Sequence, residues 1–194
     1  MLFKVEKKDF TQPSDTEPSS GFQHTDGAGM PVDLILRKDL KQLVKTLTPG
    51  HDIHYYTKGA WSMHEMLEYI LQVTGPAHIW ITTWSVTEEP LRNICRLIDA
   101  GQILSLTALF DHKIDQRKPA SLQLALGLNA RIQLVKCHAK MLVIKNDQWA
   151  VSVTGSANLT KNSRLEAGVI SCSPEVANFH KTWIEYEFRP TPTH

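Results

Sequence analysis

The sequence lacks the features that mark secreted, membrane-spanning and disulfide-stabilised proteins. Its 194 residues contain no run of about 18 uninterrupted apolar residues, so neither a transmembrane helix nor membrane insertion is expected. Residues 1–8 carry charges where a secretory signal peptide needs an apolar segment. The only cysteines are Cys95, Cys137 and Cys172, and none belongs to a Cys-x-x-Cys pair. These absences predict a cytoplasmic protein without a disulfide framework or a structural zinc site.

A large excess of charge of one sign is also lacking. The chain has 21 Lys and Arg against 20 Asp and Glu, a formal net charge of +1, which excludes a protein that is basic over its whole surface. The hydrophobic fraction of 42% and the length suit one folded domain. Positive charge is concentrated between positions 129 and 165, where six basic residues and one acid give a local net charge of +5. The basic residues of this segment are Arg131, Lys136, Lys140, Lys145, Lys161 and Arg164.

Three segments follow each other along the chain. Residues 1–32 contain little apolar surface to bury and are predicted to be a flexible N-terminal tail. Residues 33–50 are predicted to form a linker helix, because apolar residues recur at helical spacing from Leu36 to Leu47 before a Pro-Gly pair. This helix packs either on its own domain or on a partner subunit. Residues 51–194 are predicted to form the main domain.

Strand and helix patterns alternate through the main domain. This alternation predicts a single α/β domain with a mixed, mostly parallel sheet that is flanked by helices on both faces. The predicted strands span residues 52–56, 77–86, 103–110, 131–136, 138–144, 149–154 and 165–171, and the predicted helices span 62–74, 88–100, 121–128 and 175–188.

Chemically active side chains are concentrated in two short segments that flank a predicted hairpin turn. His138 and Lys140 lie two apart in a predicted strand and therefore share one face, about 7 Å apart. An imidazole and an ammonium group on a buried strand are costly unless an anion pairs with them. The returning strand ends in the sequence Gly-Ser-Ala-Asn at 155–158, which offers close backbone approach, a hydroxyl and an amide. A nucleophile, a cation and neutral donors together fit a phosphate group.

This pair of segments resembles the signature of the phospholipase D superfamily, which is His-x-Lys, four residues, Asp, six residues, Gly-Ser-x-Asn. The order of strands and helices over residues 52–188 is similar as well, so the resemblance covers about the last three-quarters of the chain. The segment that follows the second match resembles the nuclease-like members of the family more than its lipases. The matching residues are His138, Lys140, Gly155, Ser156 and Asn158.

One acid of the family pattern is in place and another is not. Glu166 falls where the family carries the acid that orients the catalytic imidazole. The Asp of the signature falls at Lys145, and Asp147 lies two residues further on. The spacing from His138 to Gly155 is three residues longer than the family pattern. Because the extra length falls at the predicted hairpin turn, the two ends that build the site stay in register.

The resemblance implies a metal-independent phosphodiesterase that needs no cofactor. One histidine attacks the phosphodiester to form a phosphohistidine, and a second histidine protonates the leaving oxygen. A chain with a single His-x-Lys motif supplies half of this site, so a homodimer is expected in which His138 of each subunit takes one role. Lys140 and Asn158 hold the phosphate with Ser156 assisting, and Glu166 accepts a hydrogen bond from His138. The further substrate-binding residues are predicted to be Gly155, Lys161, Arg164 and Lys145.

Three functions remain open at the level of the sequence. The local positive charge favours a nuclease that acts on DNA or RNA. The alternatives are a non-catalytic nucleic-acid-binding module, favoured by the missing Asp at position 145, and a phospholipase or phosphatidyl transferase. Trp80 and Trp84 lie four apart in a predicted strand and are expected to pack in the core, unless Trp84 offers a stacking platform for bases at the strand end.

Overall fold

The computed structural model of the protein describes residues 20–25, 35–36, 40–161 and 163–189. The strands are β1 (Ser20–Thr25), β2 (Ile35–Leu36), β3 (Asp52–Lys58), β4 (Ala77–Thr83), β5 (Ile103–Asp111), β6 (Arg131–Val135), β7 (Met141–Lys145), β8 (Ala150–Gly155) and β9 (Leu165–Ser171). The helices are α1 (Leu40–Val44), α2 (Met63–Thr74), α3 (Glu88–Asp99), α4 (Ile114–Arg117), α5 (Pro119–Leu126) and α6 (Pro174–Tyr186).

These strands form one sheet in the order β2-β1-β3-β9-β8-β7-β4-β5-β6. Six neighbouring pairs are antiparallel and two, β4–β5 and β5–β6, are parallel. The predicted mixed α/β domain is confirmed, but the prediction that parallel pairs predominate is wrong. Parallel neighbours need a long crossover, and only α3 and the α4–α5 pair supply one between adjacent strands. The strands β7, β8 and β9 follow each other through shorter links and pair antiparallel.

Helices cover both faces of the sheet, as the sequence predicts. Successive residues of a strand point to opposite faces, so Leu142 and Ile144 of β7 join a larger core while Val143 joins a smaller one. The larger core includes the apolar sides of α1, α2, α3 and α5. The smaller core is closed by Ala177 and Ile184 of α6. Both faces of the central strands are therefore removed from water, which explains their nearly continuous apolar sequences.

The chain before β3 differs from the predicted tail and linker helix. The helix α1 has five residues, because Ile35 and Leu36 form β2 instead of a first helical turn. The strand β1 lies inside the predicted tail and pairs with β3 over six residues. Leu40 and Val44 lie one helical turn apart and are buried where α1 packs against α2 of its own chain. The other residues of the predicted tail lie outside the described residues.

The connection from β6 to β7 brings the motif residues to one edge of the sheet. The two strands are separated in the sheet by β5 and β4. Residues 136–140 therefore run across the carboxyl ends of β5 and β4 before β7 begins at Met141. The prediction that His138 and Lys140 lie within a strand is wrong, because this crossing takes up the residues before Met141.

Candidate active site

One edge of the sheet collects the ends of seven strands. The parallel strands β4, β5 and β6 end there, and so do the antiparallel strands β3 and β8, while β7 and β9 begin there. Loops that are far apart in sequence therefore meet at this edge, which we call the site edge. A cavity of about 380 Å³ at the site edge is lined by residues 138–141 and 154–156.

Lys140 and His138 form the floor and rim of this cavity. Lys140 is only 9% exposed, whereas His138 is exposed. The Lys140 Nζ atom donates to the carbonyl oxygen of His138 at 2.6 Å and lies 3.1 Å from Nδ1 of its imidazole. Burial lowers the pKa of Lys140, although the charges of Cys137 and Glu166 favour its protonated form. A buried cation next to an accessible imidazole is an arrangement that an anionic ligand stabilises.

Gly155 is required by close packing beneath the cavity. It pairs across the sheet with Gly168, and the Tyr55 ring fills the space that their missing side chains leave. A Cβ atom on Gly155 would lie 2.8 Å from the carbonyl oxygen of Ala167 and 3.0 Å from the Tyr55 hydroxyl. Tyr55 is buried, and its pKa is raised by that burial and by the charge of Glu166. The motif does not reveal Tyr55, because its contacts depend on the pairing of three strands.

Glu166 binds a different partner from the one predicted. Its carboxylate accepts a hydrogen bond from the Ser156 hydroxyl. The Ser156 Oγ atom also accepts a hydrogen bond from the Ala167 backbone N–H at 3.1 Å. The predicted hydrogen bond from His138 to Glu166 is not among the contacts of the described residues, where the carboxylate pairs with Ser156 instead. Ser156 and Glu166 therefore fix the end of β8 to the start of β9.

Asn158 fastens the Gly-Ser-Ala-Asn turn to the end of β4. Its Oδ1 atom accepts hydrogen bonds from the Ser85 backbone N–H at 3.2 Å and the Thr83 hydroxyl at 3.3 Å. The neighbouring Leu159 N–H donates to the Thr83 Oγ1 atom at 3.1 Å. Because the amide oxygen is engaged in this way, the Asn158 amide nitrogen is the group that can donate to a ligand.

The other predicted substrate-binding residues differ in their positions. Lys161 forms an ion pair with Glu89 at 3.3 Å, and both side chains are largely exposed. Arg164 is exposed just before β9, at the site edge. Lys145 lies at the opposite end of β7, where its Nζ atom donates to Asn178 of α6. The structure therefore does not bring Lys145 to His138, because the whole length of β7, five residues at roughly 3.3 Å each, lies between them.

Trp84 is an aromatic residue of the site edge that lies just beyond the end of β4. Its ring centroid is 5.7 Å from that of His138, and it is 39% exposed. Trp80, in contrast, is buried within β4 and donates from Nε1 to Glu185 at 2.7 Å. The guanidinium group of Arg117 lies over the Trp84 ring at 4.1 Å from its centroid. The sequence does not single out Arg117, because the short helix α4 after β5 brings it to this place.

Two classes of site are absent from the described part of the chain. No group of three or more His, Cys, Asp or Glu side chains is arranged to hold a metal ion within residues 20–25, 35–36, 40–161 and 163–189. None of the helices in those ranges has the length and apolar character that crossing a bilayer requires.

Comparison with known proteins shows a shared fold. No known family model matches the chain, and no curated protein matches it in sequence. Among solved structures, the chain is similar to the polyphosphate kinase from Porphyromonas gingivalis, with a TM-score of 0.55 and 12% identity over 80% of this chain and 28% of that chain. It also matches TrmBL2, an archaeal chromatin protein whose structure shows a novel mode of DNA binding, with a TM-score of 0.42 and 14% identity over 57% of this chain and 43% of that chain. The chain thus spans less than half the length of either protein, and the first likeness shows the fold alone.

Proposed function

We propose that this protein is a metal-independent phosphodiesterase that cleaves DNA or RNA through a phosphohistidine, in an active site completed by a second copy of the chain. The observation that carries the proposal is the Lys140 ammonium group, buried beside an accessible imidazole at the floor of an open cavity. Among the described contacts this ammonium group has no acid within ion-pair distance, and a phosphate oxygen in the cavity would bring a negative charge into direct contact with it.

The side chains around the cavity suit the stabilisation of a phosphoryl group. Lys140 neutralises one phosphoryl oxygen, and the amide nitrogen of Asn158 donates to another. Ser156 and Glu166 act as positioning residues, because their hydrogen bond holds the turn that carries Asn158. Arg164 and Lys161, exposed in the segment that leads to β9, attract the neighbouring phosphates of a polyanion.

The proposed reaction has two steps. In the first, an imidazole nitrogen of His138 attacks phosphorus, a P–N bond forms, and the P–O bond to the leaving group breaks. His138 of the second copy gives its proton to the leaving oxygen. In the second step, water attacks the phosphorus of the phosphohistidine and the P–N bond breaks. His138 of the second copy takes the proton from the water. Both proposed steps use only the two histidines, the phosphodiester and water.

The requirement for a second copy follows from the number of imidazoles that line the cavity. The reaction needs a nucleophile and an acid on opposite sides of the phosphorus atom, and the cavity is lined by one histidine. His138 is exposed, so the same surface of a second chain can approach it across a two-fold axis. Such an arrangement would place two copies of Lys140 around one phosphate.

A non-catalytic nucleic-acid-binding module is the second candidate. It is favoured because Glu166 is bonded to Ser156, and the contacts of the described residues include no carboxylate that accepts from His138 and fixes its tautomer. Such a protein would still bind phosphate at Lys140 but would not turn over.

One experiment separates these functions. The purified protein is incubated in excess chelator with labelled single-stranded DNA, duplex DNA, RNA and phospholipid vesicles. We expect cleavage of a nucleic acid, and we expect His138→Ala to lower its rate by at least about 1,000-fold. His54→Ala, at an exposed histidine of β3, is the matched control and should keep full activity. Cleavage that survives in His138→Ala contradicts the proposal, binding without cleavage by the unsubstituted protein selects the second candidate, and hydrolysis of vesicles alone selects a lipase.

A further inference from the structure

Trp84 occupies a position at the site edge that the phosphodiesterase chemistry does not use. We propose that its indole is a stacking platform for the base next to the scissile phosphate, and that the enzyme therefore selects single-stranded nucleic acid. This inference rests on the proposed function and adds to it the strandedness of the substrate.

The first observation is the exposure of a large aromatic side chain beside the nucleophile. Trp84 is 39% exposed, whereas Trp80, four residues earlier in β4, is 7% exposed. Leaving an indole in water forgoes a large part of its hydrophobic stabilisation. An indole that is this exposed, 5.7 Å from the ring of the proposed nucleophile, offers an aromatic face that a bound ligand can cover.

The second observation is that the indole is held in place before any ligand arrives. The Arg117 guanidinium lies against one face of the ring, and its Nη2 atom donates to the carbonyl oxygen of Trp84 at 3.2 Å. The Arg117 Nε atom donates to the Lys113 carbonyl oxygen at 3.2 Å. An aromatic ring that is already ordered loses little conformational entropy on binding, so its stacking energy appears in the affinity.

The third observation concerns charge. Arg117 forms an ion pair with Asp111, a buried carboxylate that also accepts a hydrogen bond from the Lys113 backbone N–H. The guanidinium charge is therefore compensated within the protein. This group of Trp84, Arg117 and Asp111 supplies an aromatic surface rather than a further cation for phosphate.

The fourth observation is the distance to the reacting group. The centroids of the Trp84 and His138 rings are 5.7 Å apart, and the rings are tilted by 56°. Because of this tilt the imidazole does not stack flat on the indole and does not seal its surface. A phosphate held at His138 is separated by one sugar from its own base, which brings that base to Trp84.

Strandedness follows from the geometry of stacking. Bases in a duplex are already stacked on their neighbours and paired, so a platform reaches them only after they have been unstacked and unpaired, which costs free energy. Bases in a single strand are available, and their stacking on an aromatic side chain tolerates every sequence. The proposed substrate is therefore a single strand read by its base faces and not by its sequence.

The test compares oligonucleotides that carry equal numbers of phosphates. Fluorescence anisotropy, recorded before the strands are measurably cleaved, gives the Kd of the whole 194-residue chain for a single-stranded DNA 12-mer, for the same backbone with abasic sites, and for the corresponding duplex. The unsubstituted protein should bind the base-containing single strand about ten-fold more tightly than the abasic strand, the range expected for stacking of one base. It should also bind that strand more tightly than the duplex.

Substitutions at Trp84 should change the Kd only for strands that contain bases. Trp84→Ala should weaken binding of the base-containing strand to the level of the abasic strand and leave the abasic strand unchanged, and Trp84→Phe should keep most of the difference. Phe179→Ala, at another exposed aromatic residue, on α6, is the matched control and should change nothing. Melting temperatures of all variants report on folding independently.

The outcomes distinguish the two proposals. If Trp84→Ala weakens the base-containing and abasic strands equally, or if the unsubstituted protein does not distinguish the strands, the platform is contradicted while cleavage in chelator still supports the phosphodiesterase. If the unsubstituted protein neither binds nor cleaves any of the three ligands, both proposals fail. Equal or tighter binding of the duplex also contradicts the platform.

Discussion

The two ends of the β7–β8 hairpin have similar side chains, but the surroundings of these side chains differ. The end that contains Lys140 and the end that contains Lys145 each have a lysine, polar neighbours and a cavity. The cavity at the turn end, lined in part by Asn146 and Asp147, is the larger one at about 470 Å³, against about 380 Å³ at the site edge. Cavity volume therefore does not identify the functional end.

What separates the two ends is how their polar groups are satisfied. At the turn end, the Asn146 side chain donates to the carbonyl oxygens of Thr74 and Pro76 and accepts from the turn's own backbone, and Lys145 donates to Asn178. At the site edge, the Lys140 ammonium is buried and its contacts are the carbonyl and ring of a single exposed histidine. A buried charge with an incomplete set of partners, where several strand ends converge, indicates function more clearly than composition does.

The largest difference in activity should appear when each of the two lysines is replaced by alanine. Lys140→Ala removes the cation that the proposed phosphoryl transfer requires, so kcat/KM on a single-stranded oligonucleotide should fall by about 100-fold or more. Lys145→Ala removes an exposed hydrogen bond at the turn end and should change kcat/KM by less than about two-fold. Steady-state kinetics of both variants test this difference. Equal losses of kcat/KM, or a larger loss in Lys145→Ala, would contradict the assignment of the site to the Lys140 end.

The packing beneath the site edge should tolerate no added methyl group. In Gly168→Ala the new Cβ atom would clash with the carbonyl oxygen of Thr154 and would lie 2.5 Å from the hydroxyl oxygen of the buried Tyr55, so the free energy of unfolding should fall by about 2–3 kcal/mol. Gly127→Ala is the matched control, because its Cβ atom would approach no atom more closely than 3.4 Å. Urea denaturation measures both, and a loss of similar size in Gly127→Ala would show that the cost does not arise from the Tyr55 contact.

Asn146→Ala should affect stability without affecting catalysis. The substitution removes two side-chain donations to backbone carbonyls, at 2.8 Å and 3.1 Å, so the free energy of unfolding should fall by about 1–2 kcal/mol. Activity per folded molecule should stay unchanged, because the turn lies at the far end of β7 from His138. Parallel denaturation and kinetic measurements test this, and a fall in kcat at full folding would contradict the structural role of the turn end.

The smallest effect should be seen in the pH profile. Burial lowers the pKa of Lys140, so this group loses its proton, and with it its hold on the phosphate, at a pH below that of an ordinary lysine. The alkaline limb of kcat/KM should therefore begin below the usual lysine range and move to higher pH in Lys140→Arg, whose charge persists. The same lowered pKa means that the unfolded chain binds more protons, so stability should rise with pH through the interval between the two pKa values. A limb that does not move in the arginine variant would assign it to another group.

The sequence predicts the site edge better than it predicts the way the chain reaches it. His138, Lys140, Gly155 and Ser156 meet at one cavity because their spacing across a hairpin is a local property. The predicted start of β7 at residue 138 is wrong, because residues 136–140 cross over β5 and β4 before β7 begins. This crossing depends on the strand order of the whole sheet.

The residues that the sequence leaves out are those that long-range pairing provides. Tyr55 reaches the Gly155–Gly168 pair from β3, and Arg117 reaches Trp84 from the end of α4. The exposure of Trp84 depends in the same way on where β4 ends, since four-residue spacing alone would bury it with Trp80. Glu166 is found at the site edge, but its partner is decided by the Ser156 hydroxyl across the β8–β9 pair.

The proposed covalent bond between His138 and phosphorus can be trapped. The protein is mixed with a 5′-labelled single-stranded oligonucleotide in excess chelator, quenched in alkali, which preserves phosphoramidates, and analysed by peptide mass spectrometry. The account predicts a nucleotide or phosphoryl adduct on the peptide that contains His138, absent from His138→Ala and unaffected by His54→Ala. Cleavage without any adduct at His138, or an adduct on another residue, would contradict it.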